Sequence, residues 1–364
     1  MKFLDYALPY VCGIQPYVPG KPVTQLVREL GLQAETIVKL ASNENPLGMS
    51  PQARQAVVVA LGGVARYPDQ HALTAALAAH HGVSAEQIVL GNGSNDVLDL
   101  VARVFLAQGR SAVMSEYAFA VYPLVTQATG AECLVAPAYQ FGHDPVALKA
   151  ALRADTRVLW IANPNNPTGT FLPQAVLRGL LAAVPEEVVV VLDEAYTEYL
   201  SPAERMDSIA WIAEFPNLVV TRTFSKIYGL AGLRVGYAVA RTGVAALMQR
   251  VRQPFNVGNL GLVAALAALD DHLFIAESYT LNHRGMEEIV AGLKRLGLEH
   301  IPSHGNFVTF AVADAPRVNQ HLLAQGVIVR PLDGYGMPRH LRVTIGRDTE
   351  NRRFLEALEK ALHS

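Results

Sequence analysis

Three stretches of this chain set chemically active side chains among turn-forming residues. Thr223-Phe224-Ser225-Lys226, followed by Ile227-Tyr228-Gly229-Leu230-Ala231-Gly232-Leu233-Arg234, supplies an amine, two aliphatic hydroxyls and a guanidinium. Upstream lie Asp193-Glu194-Ala195-Tyr196 and Asn163-Pro164-Asn165-Asn166-Pro167-Thr168-Gly169. A lysine amine can hold an aldehyde as a Schiff base, an aspartate can keep a ring nitrogen protonated, and an arginine can neutralise a phosphate. Together the three describe a site for an aldehyde cofactor that carries phosphate, which is the chemistry of pyridoxal phosphate.

The elements that must position these groups are legible beside them. Val158 to Ala162 precedes the Asn/Pro/Gly stretch, Val188 to Leu192 precedes Asp193, and Leu218 to Val220 comes shortly before Lys226. Continuous apolar, β-branched runs of this length are strands buried on both faces, as in a parallel sheet covered by helices. Each polar group then stands at or just beyond a strand's carboxyl end, the edge where open α/β sheets bind ligands. The chain alternates such runs with helical stretches from about Gln87 to Ala240, which predicts an α/β fold with a large, mostly parallel sheet.

The flanks read differently. Residues 1–35, rich in Pro and aromatic residues, form an arm with one short helix over 23–30 that joins a smaller C-terminal domain. Residues 36–257 make the large domain, with helices over 50–60 and 72–81. A long helix from about 258 to 296 leads into a small α+β domain ending at 364. Its strands are expected at 306–313, 326–331 and 340–345, and its helices at 315–324 and 349–362. The cleft between the two domains is the natural substrate site.

Composition narrows the partners. Thirty Lys and Arg stand against 32 Asp and Glu, so no net field favours nucleic acid or an anionic membrane. Hydrophobic residues make up 51%, yet no charge-free run reaches the length of a membrane span. Cys12 and Cys133 are too few for a disulfide framework, which suits a reducing, cytoplasmic compartment. Met1-Lys2-Phe3-Leu4-Asp5 carries an early acid and Pro9 breaks the apolar run, so no secretory signal is expected. The eleven histidines show no ligand spacing, and no metal is expected; His71, His80 and His81 read as surface groups.

Two further groups fit the same chemistry. Gly91-Asn92-Gly93-Ser94-Asn95-Asp96 follows the strand expected at 87–90 and opens a helix expected at 97–107, so its backbone N–H groups can cradle phosphate. In Leu341-Arg342-Val343-Thr344-Ile345, alternation sets Arg342 and Thr344 opposite three apolar residues. On that pattern alone Arg342 faces solvent.

On these motifs, in this order, the chain resembles the fold-type I pyridoxal-phosphate aminotransferases along nearly its whole length, and within them the histidinol-phosphate aminotransferases. The resemblance implies that Lys226 carries the cofactor and moves the proton, Asp193 holds the pyridine nitrogen, and Asn166 and Tyr196 hydrogen-bond its 3-oxygen. It implies that Gly93, Ser94, Asn95, Thr223, Ser225 and Arg234 bind the phosphate and that Tyr117 stacks on the ring. Tyr67, in Arg66-Tyr67-Pro68-Asp69, is implied to reach the neighbouring subunit's phosphate, making an obligate homodimer. Arg342 is implied to clamp an amino acid's α-carboxylate in bidentate fashion, Arg330 and Tyr17 to handle the substrate's distal end, and Asn43 to stand near the entrance.

The implied reaction moves the amino group of L-histidinol phosphate to 2-oxoglutarate in histidine biosynthesis, giving imidazole-acetol phosphate and glutamate. An aromatic-amino-acid aminotransferase and a threonine-phosphate decarboxylase share much of the site, and a regulatory protein retaining the domain is the non-enzymatic alternative. The chain departs from the family at Ser115-Glu116, before Tyr117, where Pro-Thr is common, and at Val257-Gly258-Asn259.

Overall fold

Strand β1 (Val38–Lys39) precedes a run of seven strands: β2 (Ile88–Gly91), β3 (Ser111–Ser115), β4 (Glu132–Ala136), β5 (Thr156–Ala162), β6 (Val189–Asp193), β7 (Leu218–Thr223) and β8 (Gly236–Ala240). These seven form one sheet in the order β2-β8-β7-β6-β5-β3-β4. All neighbours are parallel except β8, which runs antiparallel to both β2 and β7. The carboxyl ends of β2, β5, β6 and β7 therefore share one edge. The structure is a computed structural model that describes residues 3–363; Met1 and Lys2, which entered the reading of the N-terminus, lie outside the described residues.

The uninterrupted apolar runs are explained by helices on both faces. Ile88, Leu90, Val190, Leu192 and Val220 belong to one buried cluster, and Val89, Val191, Val219 and Ala238 to another. Each fully buried aliphatic side chain contributes about 1.5–3 kcal/mol, so both faces stabilise the edge that carries the polar groups.

Five more strands follow: β9 (His300–Ile301), β10 (Phe307–Ala311), β11 (Val327–Ile328), β12 (Arg330–Pro331) and β13 (His340–Thr344). Four make a sheet in the order β12-β13-β10-β9, while β11 pairs in parallel with β1. The strand expected over 326–331 is thus split at Val329 between two sheets. Pairing of the N-terminal segment with the C-terminal part extends past residue 35, through β1 and on to Leu40, whose carbonyl accepts from Thr344 N–H at 2.8 Å.

The long helix expected from 258 to 296 is two helices, Asn259–Leu269 and His272–Arg295, meeting at 81°. Asp271 breaks the run by capping the second, accepting from Phe274 N–H at 3.3 Å. The helix expected at 97–107 spans Ser94–Phe105, one turn earlier, so it begins inside the glycine-rich loop. Among the described residues no single helix is long and apolar enough to cross a membrane.

Candidate active site at the sheet edge

A cavity of about 180 Å³ opens over the carboxyl edge of the large sheet. Ala162, Asp193 and Thr223, the last residues of β5, β6 and β7, line its floor with Lys226 and Tyr196. Ser42, Asn43, Arg330, Tyr335 and Arg342 close it from the other side. Residues distant in sequence meet here because parallel strands deliver their ends to one place.

Asp193 is 4% exposed. Its two oxygens accept from Tyr122 Oη at 2.9 Å and from Thr221 Oγ1 at 3.1 Å. Burial pushes its pKa up to about 6, against the opposing pull of both hydroxyls and of the Lys226 charge. A cationic ring nitrogen in the cavity would supply the missing counter-charge. The neighbouring Glu194 is paired instead with Arg222, at 2.8 Å.

Lys226 Nζ donates to the carbonyl of Ser42 at 3.3 Å and lies 5.6 Å from the centre of the Tyr196 ring. Burial, with the Arg342 cation second, lowers its pKa to about 8. A lysine so shifted is far more often a free nucleophilic amine at neutral pH than a surface lysine. Tyr196 keeps its proton: burial pushes the phenol up to about 12, and its oxygen accepts from Asn43 Nδ2 at 2.9 Å.

The glycine-rich loop and Arg234 form an anion cradle. Gly93 has φ +80°, and a Cβ there would lie 2.2 Å from Arg234 Nη2. The approach is enforced by Gly236, the first residue of β8, where a Cβ would lie 2.3 Å from Ser94 N. Arg234 itself has φ +55° and donates to Ser225 Oγ at 3.2 Å and to the Ala231 carbonyl at 3.0 Å. No carboxylate pairs with it among the described residues. A helix N-terminus, two serine hydroxyls and an unneutralised guanidinium at one end of a cavity fit a phosphate. With Lys226 and Asp193 further along, the residues present fit a phosphorylated pyridine aldehyde.

The other end holds a second unpaired cation. Arg342 is 5% exposed, donates to Asn166 Oδ1 and to the Ala41 carbonyl at 3.1 Å, and leaves its Nε without a partner. Burial lowers its pKa. It is therefore not the solvent-facing residue that strand alternation predicts. Arg330, half-buried, lies over the Tyr17 ring at 5.2 Å and donates to the Val18 carbonyl at 2.8 Å. Asn43, at φ +56°, ties the segment together by donating its N–H to Thr344 Oγ1 at 2.9 Å.

Of the residues singled out in the sequence, Tyr17, Asn43, Ser94, Asn95, Asn166, Asp193, Tyr196, Thr223, Ser225, Lys226, Arg234, Arg330 and Arg342 line this cavity, and Gly93 abuts Arg234. Tyr117 does not. Its ring packs near Phe141 at 5.6 Å, and the aromatic side chain that this loop gives to the cavity wall is Phe119, two residues further along. Tyr67 is also outside: it is 81% exposed, stacked on Phe255 at 4.4 Å. His81 is not a simple surface group, since its Nε2 lies 2.8 Å from the Tyr237 hydroxyl.

Sequence reasoning missed Tyr122, Thr221, Phe119, Tyr335 and the Ser42 carbonyl. Thr221 had a signal, because parallel register sets it opposite Asp193 on the neighbouring strand. Tyr122 had none: it sits in an apolar helix, and its partner is 71 positions away.

The sequence pattern of class I and II aminotransferases matches residues 35–358. A histidinol-phosphate aminotransferase from Dechloromonas aromatica is 68% identical over 362 residues, covering 100% of both chains. One from Nitrosospira multiformis is 55% identical over 100% of this chain and 94% of its own. Among solved structures, a histidinol-phosphate aminotransferase from Sinorhizobium meliloti in complex with pyridoxal-5'-phosphate superposes with a TM-score of 0.89. It is 28% identical, over 98% of this chain and 97% of that one. With the family pattern matched over residues 35–358 and full-length relatives at 55–68% identity, this chain belongs to the class I and II aminotransferase family.

Proposed function

We propose that the protein transfers the amino group of L-histidinol phosphate to 2-oxoglutarate, giving imidazole-acetol phosphate and L-glutamate, in histidine biosynthesis. The observation that carries this reading is the full-length likeness to the Dechloromonas enzyme, at 68% identity. The cavity is consistent with it, because a donor bearing phosphate and an acceptor bearing carboxylates both need the unpaired Arg342. The cofactor is pyridoxal phosphate, which when bound supplies an electron sink for the carbanion at the donor's Cα.

The chain's own residues divide the remaining work. Gly93, Ser94, Asn95, Thr223, Ser225 and Arg234 hold the cofactor's phosphate at the helix start. Asp193, kept in place by Tyr122 and Thr221, carries the negative charge beside the ring nitrogen. Asn166 and Tyr196 take the ring oxygen, and Phe119 covers the ring. Lys226, with its pKa near 8, has an amine able to take the proton from the donor's Cα and to give one back. Arg342 and Arg330 orient the substrate's anionic groups, since a guanidinium fork suits both planar and tetrahedral oxyanions.

We further propose a cytoplasmic homodimer in which Tyr67 completes the neighbour's phosphate site. Its exposure and its absence from the lining of its own chain's cavity support that assignment. The function is tested with purified holoenzyme and a panel of amino donors against 2-oxoglutarate. Histidinol phosphate should exceed phenylalanine in specificity constant, no carbon dioxide should be released, and borohydride should fix the cofactor to Lys226. A preference for phenylalanine would make the enzyme an aromatic-amino-acid aminotransferase.

A further inference from the structure

Tyr335 lines the cavity with both arginines, and the transfer reaction leaves it without a duty. It ends the 3-10 helix Asp333–Tyr335, between β12 and β13, and lines the cavity with Tyr17, Arg330 and Arg342. Its ring packs with Tyr117 against the small apolar cluster of Ile301, Leu332 and Met337. That cluster joins the loop after β3 to the C-terminal sheet. The backbone is fixed as well, Tyr335 N–H donating to the Leu332 carbonyl at 3.0 Å.

The phenol's polarity follows from its neighbours. The guanidiniums of Arg330 and Arg342, which line the cavity with it, carry donors only and cannot accept the phenol's proton, so that proton is free to go to a ligand. Burial pushes its ionisation upward despite the two nearby guanidiniums, which keeps it a neutral donor at working pH. A carboxylate is matched by one guanidinium fork, whereas a phosphate monoester presents three acceptor oxygens and has room for a further donor.

We propose that Tyr335 is a specificity-determining residue that donates a hydrogen bond to the phosphate of the amino donor and makes no comparable contact with a carboxylate. This rests on histidinol phosphate being the donor. It is separable from that reading because wild-type turnover tests the donor, while the response of a variant across ligands tests Tyr335.

The experiment compares wild-type and Tyr335→Phe holoenzyme in single-turnover half-reactions with histidinol phosphate, glutamate and phenylalanine. Inorganic phosphate is also titrated as a competitor of glutamate. Phenylalanine keeps the ring and its packing, and the cofactor's absorbance reports that the site is intact. The specificity constant for histidinol phosphate should fall about tenfold, mostly through KM, and that for glutamate and phenylalanine by less than about threefold. Inhibition by inorganic phosphate should weaken by a similar factor of about ten. Equal losses for all three donors would make Tyr335 a packing residue and overturn the proposal. A loss shared by histidinol phosphate and phenylalanine alone would show that it reads the substrate's ring, and no loss at all would also overturn it. If wild-type enzyme fails to turn over histidinol phosphate, the donor assignment falls, and weakened inhibition by inorganic phosphate in the variant still decides whether Tyr335 reads phosphate.

Discussion

Asp193→Asn should stabilise the cofactor-free protein while crippling the enzyme. Burial raises the Asp193 carboxyl from 3.8 to about 6, so folding disfavours its charged form. A folded-state pKa above the unfolded value means that this group's stabilising contribution is complete below pH 3.8 and is lost as pH rises through about 6. At 1.36 kcal/mol per unit the shift corresponds to about 3 kcal/mol of stability absent above pH 7. Asparagine never ionises. It does set an amide N–H₂ against one of the hydroxyls of Tyr122 and Thr221, at a cost of about 1 kcal/mol. The expected net gain at pH 8 is about 2 kcal/mol, and at pH 4 the variant should show no gain or a small loss. Urea unfolding of the cofactor-free protein at both pH values measures the difference, and a titration with pyridoxal phosphate measures the loss of affinity. A variant whose stability relative to wild type is the same at pH 4 and pH 8 would refute the idea that a strained, buried charge waits for a cationic ligand.

Three other perturbations reach different parts of the site. In cofactor-free protein, acylation of Lys226 should rise with pH around a midpoint near 8, and Arg342→Gln, by removing a nearby cation, should move that midpoint upward; mass spectrometry of the labelled peptide reads both. Gly93→Ala combines a left-handed backbone, costing about 1–2 kcal/mol, with a Cβ driven into Arg234, and should weaken pyridoxal phosphate binding by roughly tenfold or more in a spectral titration. Mixing Lys226→Ala with Tyr67→Phe protein should, after subunit exchange, give heterodimers with one intact site and activity above either parent; no recovery despite proven exchange would remove Tyr67 from the neighbour's site.

The large sheet was legible because strands buried on both faces leave no alternation to misread. Val189 to Leu192 can only be interior, and an aspartate closing that run must meet a cation or a hydroxyl. The loop after β3 offered no such constraint. Tyr117 and Phe119 are both aromatic, two residues apart, in a segment without regular period, and which of them enters the cavity depends on the path taken after Ser115. In the fold Tyr117 packs against the cluster of Ile301, Leu332 and Met337, and Phe119 lines the cavity.

Arg342 marks the limit more sharply, because its strand pattern was read correctly and its environment was not. Alternation does set Arg342 and Thr344 on the face opposite Leu341 and Val343, yet that face is covered by Ala41 from 301 positions away and by Asn166 from 176. No local pattern carries such contacts. Burying a guanidinium without a carboxylate is costly, and a hydrogen bond to an amide and one to a carbonyl offset only part of that cost. The unpartnered Nε is thus an opening for an anion that binds and leaves, which a permanent ion pair at this position would have excluded.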